Sequence, residues 1–180
     1  MEAEMKILVI TGSAHKNGTS AYLADRFIEG AKEAGHETVR FDASFKKVHP
    51  CMGCDKCHRD GKCAFQDDMN ELNPFLLSAD AVIFVSPIYY YGMNAQIRAV
   101  IERFYANDDK IHVSKKTALM ITMADDTMES AEGAIASFRG MSNFLGWSIS
   151  GMVIGMNCAT LEMLKKTDFP RQAYELGKNI

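Results

Sequence analysis

The sequence predicts a single α/β domain in which a doubly wound, five-stranded parallel sheet carries helices on both faces. Short apolar runs alternate with segments of helical periodicity along the chain, an order that is typical of a parallel sheet with covering helices. Two of the runs, 81–86 and 117–122, are apolar almost throughout, as expected of strands buried on both faces. At 180 residues the chain is long enough to build one substantial core.

The first unit is a strand, a helix and a second strand. Residues 6–11 form an apolar run that ends at Gly12. Residues 20–34 place apolar side chains at helical spacing, and Gly35 follows as a stop signal. Residues 37–42 then alternate like a short strand, which completes a βαβ unit.

The same alternation continues to the end of the chain. Further helices are predicted at 67–77, 93–105 and 129–144, and a last strand at 148–156. Pro170 stands at the natural first position of a closing helix. The expected strand order is 2-1-3-4-5, in which the loops after the first and third strands are neighbours.

One segment, at about residues 43–66, interrupts this alternation and holds four of the chain's five cysteines. A C-x2-C-x2-C-x5-C run is formed by Cys51, Cys54, Cys57 and Cys63. Thiols at this spacing suit an iron–sulfur cluster or a zinc ion, for which His49 or His58 could be further ligands, and they could equally be redox-active thiols. The fifth, Cys158, is predicted to be a small core residue.

The loop after the first strand, Gly12-Ser-Ala-His-Lys-Asn-Gly-Thr-Ser20, is a candidate phosphate site. It offers backbone N–H groups, several hydroxyls and a helix N-terminus, which together suit a phosphate dianion. The alternative is that these residues only cap the helix and shape the turn. The loop is neither a Gly-x-Gly-x-x-Gly fingerprint nor a Walker loop.

A second candidate site follows the third strand, in Ser86-Pro-Ile-Tyr-Tyr-Tyr-Gly92. Three consecutive tyrosines cannot all pack into one core face, so some of them must line a surface or a cleft that could hold a flat heterocycle. The alternative is a tyrosine-rich turn that packs on a neighbouring helix or subunit. Because both loops follow neighbouring strands, we expect them to meet at one edge of the sheet.

Charge and hydropathy exclude several classes of function. The net charge of −3 predicts no basic surface for nucleic acid or for an anionic membrane. No apolar run approaches the roughly 20 residues of a membrane helix, and the first residues are too polar for a signal peptide. We therefore expect a cytoplasmic protein with reduced thiols and with no membrane or nucleic-acid partner.

These motifs resemble those of the flavodoxin-like NAD(P)H-dependent FMN reductase family, and within it the branch that contains iron–sulfur flavoproteins. The first loop is similar to the family's Gly-Ser-Pro-Arg-x-x-Gly-Asn-Thr, and residues 86–89 match its Ser-Pro-x-Tyr flavin loop. Residues 95–103 match the helix that follows. The cysteine run, with residues 67–69, follows the cysteine segment of the branch. The resemblance covers nearly the whole chain.

The resemblance implies FMN as the cofactor and reduced nicotinamide, NADH or NADPH, as the electron donor. The FMN phosphate would be held by Ser13, His15, Gly18, Thr19 and Ser20. The isoalloxazine ring would lie against Pro87, Ile88, Tyr89, Tyr90, Tyr91 and Gly92, and residues 123–125 would approach its far side. One departure is that Ala14-His15 replaces the family's Pro-Arg, so that the charge of this phosphate partner depends on pH.

Two functions follow from the resemblance. The first is an FMN-dependent oxidoreductase that passes electrons from NAD(P)H to a small acceptor such as a quinone or a free flavin. The second is an electron-transfer protein in which Cys51, Cys54, Cys57 and Cys63 hold a [4Fe–4S] cluster beside FMN. No catalytic acid or base is implied, because hydride transfer to a flavin requires none. A homodimer or homotetramer is implied as well.

Overall fold

The computed structural model describes residues 3–180. The strands in this range are β1 (Lys6–Thr11), β2 (Glu37–Asp42), β3 (Ala81–Tyr89), β4 (Gly92–Met93), β5 (Lys116–Thr122) and β6 (Ser148–Gly155). The α-helices are α1 (Thr19–Glu33), α2 (Lys56–Asp60), α3 (Met69–Ser78), α4 (Ala95–Glu102), α5 (Asp108–Ile111), α6 (Glu129–Leu145), α7 (Leu161–Lys165) and α8 (Phe169–Lys178). Two short 3-10 helices lie at Ala43–Phe45 and Arg103–Asn107.

The sheet has the order β2-β1-β3-β5-β6, and all of these strands run parallel. With the two-residue strand β4 set aside, this is the predicted 2-1-3-4-5 order, so the predicted fold class is confirmed. The sequence did not predict β4, which pairs antiparallel with the end of β3. Strand β3 also continues three residues beyond the predicted end at Ser86, to Tyr89.

Helices cover both faces of the sheet, and each face has its own core. On one face, Leu72 of α3, Ile97 of α4 and Phe138 of α6 are fully buried against the sheet. On the other face, Phe27 of α1 and Ala173 of α8 are buried in a second cluster. Apolar side chains that alternate along β1 and β3 therefore supply both cores, as expected of strands buried on two sides.

Some local structure differs from the prediction. The helix predicted at 93–105 ends at Glu102 and continues as a 3-10 helix to Asn107. Three helices of four or five residues, α2, α5 and α7, were not predicted, because one turn of helix is too short to produce a periodic pattern. The start of α7 did carry a signal: the Oγ1 of Thr160 accepts a hydrogen bond from the Met163 N–H, as an N-cap residue does.

Within residues 3–180, none of the helices has the length and apolar character that a membrane span requires.

Candidate functional site

A cleft with a volume of about 510 Å³ opens at the carboxyl ends of β1, β3 and β5. Its size falls in the range of pockets that hold small molecules and cofactors. From the first loop it is lined by Ser13, His15, Asn17, Gly18, Thr19 and Ser20, and from the second loop by Pro87, Ile88 and Tyr89. The structure thus brings the two candidate loops together at the predicted edge of the sheet.

The N-terminus of α1 faces this cleft without a side-chain cap. The N-cap residue, Gly18, has no side chain to accept from the first turn, and its own N–H donates to the His15 carbonyl oxygen over 3.0 Å. A Cβ on Gly18 would lie 2.9 Å from the Cβ of His15, so only glycine fits this turn without a shift. The first-turn N–H groups, at the positive end of the helix dipole, therefore remain available to an anion.

A cluster of three hydroxyls limits what the loop side chains can donate. The Oγ1 of Thr122 lies 2.9 Å from the Thr19 Oγ1 and 2.7 Å from the Ser20 Oγ. Thr122 has one hydroxyl proton, so it can donate in only one of these two hydrogen bonds and must accept in the other. At most one of the two loop hydroxyls keeps its proton for a ligand. Backbone N–H groups must therefore supply most of the donors for a phosphate at this loop.

Asn94 joins the two loops to each other. Its amide group is buried, and its Nδ2 donates to the Gly12 carbonyl oxygen of the first loop. The Ser86 Oγ accepts from the Asn94 N–H over 3.1 Å and lies 3.1 Å from the Asn94 Oδ1. A Cβ on Gly12 would lie 2.0 Å from that Oδ1, so Gly12 makes room for the bridge. Asn94 and Thr122 are site residues that sequence reasoning missed.

The three tyrosines form the tip of a β3–β4 hairpin. Tyr89 pairs with Gly92, and the two residues between them have φ of 47° at Tyr90 and 63° at Tyr91. Both values lie in the left-handed region, where hairpin turns usually place glycine or asparagine. Bulky residues in this conformation are strained by about 1–3 kcal/mol each. Such strain is typical of functional sites and favours a role for the tyrosine side chains beyond packing.

All three tyrosine side chains reach solvent: Tyr89 is 54% exposed, Tyr90 100% and Tyr91 60%. This excludes packing into the core of this chain. Of the three, Tyr89 lines the main cleft, whereas Tyr90 and Tyr91 line an adjoining depression of about 300 Å³. Gly92 does not line either one, so of the residues predicted for the ring it is the one that the geometry leaves outside.

The loop after β5 forms the opposite wall. Met123 and Ala124 line the main cleft, and Asp125 faces the depression beside Tyr90 and Tyr91. A hydrogen bond from the Ser130 hydroxyl, together with backbone N–H groups, lowers the pKa of the Asp125 carboxyl. That residues 123–125 approach the far side of a flavin ring stays a prediction.

Residues after β6 complete the cleft and were not predicted. Cys158, Ala159 and Leu161 line it next to the first loop. Cys158 is 2% exposed and packs in the core on the α1 face, as predicted, and burial raises the pKa of its thiol. The sequence could not predict this segment as part of the site, because it lines the cleft mostly with apolar atoms and matches no ligand-binding motif.

The four clustered cysteines lie elsewhere, around a cavity of their own. Cys51, Cys54, Cys57 and Cys63 all line it, together with Arg103 and Tyr105 of the 3-10 helix after α4. All four are free thiols, and burial raises the pKa of Cys57. The lining of this cavity shares no residue with that of the cleft. The cysteine segment approaches the first loop at its beginning, where the Ser44 Oγ donates to the Gly12 carbonyl oxygen.

The side chains around this cavity offer thiols as possible metal ligands. Among residues 3–180, no three His, Cys, Asp or Glu side chains are arranged around one metal position. His49 stacks on Phe65 and His58 packs against Tyr105, and neither lines the cavity, so the additional zinc ligands that we considered are not in place. A [4Fe–4S] cluster is held by four cysteine thiolates, one for each iron, and Cys51, Cys54, Cys57 and Cys63 offer four thiols to one cavity.

Comparison with known proteins identifies the family. The family model of the NADPH-dependent FMN reductases matches residues 5–158. The chain belongs to this family. An iron–sulfur flavoprotein of Archaeoglobus fulgidus is 33% identical over 131 residues, which cover 72% of this chain and 67% of that protein. The resemblance to this branch is therefore confirmed.

Two further likenesses fit this family. A second iron–sulfur flavoprotein of Archaeoglobus fulgidus is 36% identical over 99 residues, 55% of this chain and 45% of that protein. The matched part is thus about half the length of that relative. The solved structure of an NAD(P)H:quinone oxidoreductase from Methanothermobacter marburgensis superposes with a TM-score of 0.70 at 16% identity, over 98% of this chain and 97% of the other. This likeness is one of fold.

Proposed function

We propose that this FMN reductase family member binds FMN in the cleft and acts as an oxidoreductase that takes electrons from NAD(P)H and passes them to a small acceptor, such as a quinone or a free flavin. The observation that carries the proposal is the meeting of an uncapped helix N-terminus and an aromatic hairpin in one cleft of suitable volume. In this cleft FMN would supply the redox chemistry, which is hydride acceptance from a nicotinamide and electron release to an acceptor.

The chain's own residues bind and orient. The first-turn N–H groups of α1 hold the phosphate, with Ser13 and His15 at the entrance to the cleft. Pro87, Ile88 and Tyr89 provide one wall for the ring, and Met123 with Ala124 the other. The depression between Tyr90, Tyr91 and Asp125 is open to solvent and adjoins the ring wall, which suits a site for the nicotinamide and then for the acceptor.

The test is direct. The purified chain, titrated with FMN, is expected to quench flavin fluorescence at one equivalent. NADH or NADPH should then bleach the flavin absorption under anaerobic conditions, and a quinone should restore it. A chain that takes up no FMN would refute the proposal, and bound FMN that neither nicotinamide reduces would refute the oxidoreductase assignment alone.

A second function is favoured by the cysteine cavity. Four thiols line it, and several relatives are named iron–sulfur flavoproteins. We propose as the alternative that Cys51, Cys54, Cys57 and Cys63 hold a [4Fe–4S] cluster and that the protein transfers electrons between protein partners. Protein purified under anaerobic conditions should then contain about four iron atoms and about four acid-labile sulfides per chain. Flavin absorption without iron would leave the oxidoreductase as the function.

We also propose that the protein forms a homodimer or homotetramer, and that neither nucleic acid nor a membrane is a partner. The support is the aromatic hairpin, because an exposed aromatic patch marks a surface that binds a ligand or a second chain, and a second chain at its edge would leave the depression open. Light scattering coupled to gel filtration would contradict the proposal if the FMN-loaded protein had the mass of one chain.

A further inference from the structure

Arg103 is the one buried cation that lines the cysteine cavity. It is 3% exposed and begins the 3-10 helix that follows α4. A buried charge is costly unless it is paired and hydrogen-bonded, so each nitrogen of the guanidinium needs a partner.

Two groups that flank the four cysteines in the chain hold one end of the guanidinium. The Nη1 atom donates to the Asp67 carboxylate over 2.6 Å and to the His49 carbonyl oxygen over 2.8 Å, and Nη2 donates to Asp67 over 3.1 Å. The Phe65 ring lies 5.2 Å from Cζ. Arg103 therefore fixes both ends of the segment that carries the four cysteines, residues 49 and 67.

The third nitrogen has no partner. The Arg103 Nε is buried, and among the buried side-chain N and O atoms of the described residues it is the one left without a hydrogen bond. An unmet donor of this kind costs about 1–3 kcal/mol, more when the group is charged. Burial lowers the pKa of Arg103, and its neighbours Asp67 and Cys63 outweigh this effect and raise it. Cys63 lines the same cavity as Arg103.

We propose that Arg103 is the positioning residue of a thiolate-ligated centre in this cavity, and that its free Nε–H donates to a sulfur of that centre, on or next to Cys63. The inference rests on the proposed cluster and adds a hydrogen-bond donor to the four cysteine ligands. A buried donor with no acceptor in the protein is satisfied when the thiols become anionic ligands, because a thiolate or sulfide accepts hydrogen bonds that a neutral thiol accepts only weakly.

The consequence is a specific effect on the reduction potential. A bound centre would gain one negative charge on one-electron reduction, and the Arg103 Nε–H with its positive charge would stabilise the reduced form more than the oxidised form. Loss of the donor must therefore make reduction harder. Loss of the Asp67 charge, which leaves Arg103 with an uncompensated positive charge, must make it easier.

Two variants separate this role from a structural one. In Arg103→Met combined with Asp67→Asn, the donor and both charges are removed, so no lone buried charge remains. In Asp67→Asn alone, the amide oxygen still accepts from Arg103. The exposed ion-pair residue Arg171 supplies the matched control, Arg171→Gln. Each full-length protein is reconstituted with FMN, ferrous iron and sulfide, assayed for iron, and titrated with dithionite while its electron paramagnetic resonance signal is followed.

The double variant is expected to shift to a more negative potential and Asp67→Asn to a more positive one. Each shift should reach about tenfold in the ratio of reduced to oxidised centre, or about 59 mV, and the control should not move. Equal potentials, or shifts of the same sign in both variants, would overturn the role of Arg103 while the cluster stands. Absence of iron uptake in the unaltered chain would overturn the cluster, and the inference with it, and would leave the FMN proposal untouched. Loss of iron in the double variant with a negative shift in its residual centre supports the proposal.

Discussion

His15 stands where the family motif has arginine, and its backbone, not its ring, shapes the phosphate loop. Its N–H donates to the Ser13 Oγ over 3.2 Å, and its carbonyl oxygen accepts from Gly18. The side chain is exposed at the mouth of the cleft. A substitution at this position should therefore change the charge near the phosphate without changing the loop.

We predict that His15→Arg binds FMN about tenfold more tightly at neutral to alkaline pH, the effect of one charge-assisted hydrogen bond. A guanidinium is always charged and can donate two hydrogen bonds to one phosphate. Fluorescence titration of both proteins at one neutral pH measures the two affinities. Equal affinities would contradict the idea that the side chain at position 15 contacts the phosphate.

Asp67 is the second residue whose charge has a measurable consequence. Burial alone would raise the pKa of its carboxyl, but hydrogen bonds from Arg103 and from two backbone N–H groups outweigh this and lower it. A carboxyl whose pKa is lowered in the folded state stabilises the fold above its unfolded pKa and loses that contribution as pH falls through the folded value.

We therefore predict that Asp67→Asn lowers the free energy of unfolding by about 2 kcal/mol at neutral pH, as expected for a hydrogen-bonded charged group. The difference from the natural chain should shrink as the solution is made acidic, below the usual range of an aspartate carboxyl. Urea unfolding at several pH values measures it. A difference that stays constant with pH would show that the effect is steric rather than electrostatic.

Single residues also show what the sequence could not predict. The sequence predicted the first loop and the tyrosine loop as candidate sites because glycines, hydroxyls and aromatic rings are close together in the chain. Asn94 and Thr122 were missed because their partners are distant: Asn94 binds Gly12 across 82 positions, and Thr122 binds Ser20 across 102. No motif in the neighbouring sequence indicates that either side chain makes a structural hydrogen bond. Only the folded sheet brings each residue next to its partner.

At the scale of elements, helix α6 holds the tyrosine hairpin in place. A Cβ on Gly133 would lie 2.5 Å from the Tyr91 carbonyl oxygen, so the helix and the hairpin touch through backbone atoms. A Cβ on Gly140, in the same helix, would have open space around it. The two glycines offer a matched pair in one element.

We predict that Gly133→Ala displaces the hairpin, costs about 1–3 kcal/mol of stability and weakens FMN binding. Gly140→Ala should instead stabilise the chain by up to about 1 kcal/mol, because alanine is the better helix former, and should leave FMN binding unchanged. Thermal unfolding and FMN titration of both variants measure this. Normal FMN affinity in Gly133→Ala would show that the hairpin position does not matter for the flavin.

The elements that the sequence predicted are those with a long periodic or apolar pattern. Strands β1 and β2 have the predicted ends, α1 lies one residue earlier than predicted at both ends, and α6 ends one residue later than predicted. Strand β4 was missed because two residues carry no pattern, and its existence depends on Tyr90 and Tyr91 adopting a turn that tyrosine disfavours. The contact between Gly133 and the Tyr91 carbonyl oxygen supports that turn. Because these residues are distant in the chain, the local sequence pattern could not predict the contact.

At the scale of the whole molecule, α1 connects the cleft to the far side of the domain. Its first turn faces the cleft, while its later turns cross α8 at close range: a Cβ on Gly177 would lie 2.0 Å from the Phe27 carbonyl oxygen. Phe27 follows Thr19 by eight residues, which is about 12 Å along a helix. Stability and FMN binding therefore depend on different parts of the same helix.

This separation gives a prediction for the whole chain. FMN at about 100 times its dissociation constant should raise the free energy of unfolding by about 2.7 kcal/mol, which corresponds to a rise of about 5–10 °C in Tm for a domain of this size.

Gly177→Ala should lower Tm in the absence of FMN, because the methyl group forces α1 and α8 apart. The gain on adding FMN should nevertheless be as large in the variant as in the natural chain. Differential scanning calorimetry of the four samples tests both statements. A variant that loses the FMN-dependent gain would show that the crossing of α1 and α8 also sets the geometry of the phosphate loop, and an unaltered chain without any gain would show that FMN does not bind the folded state.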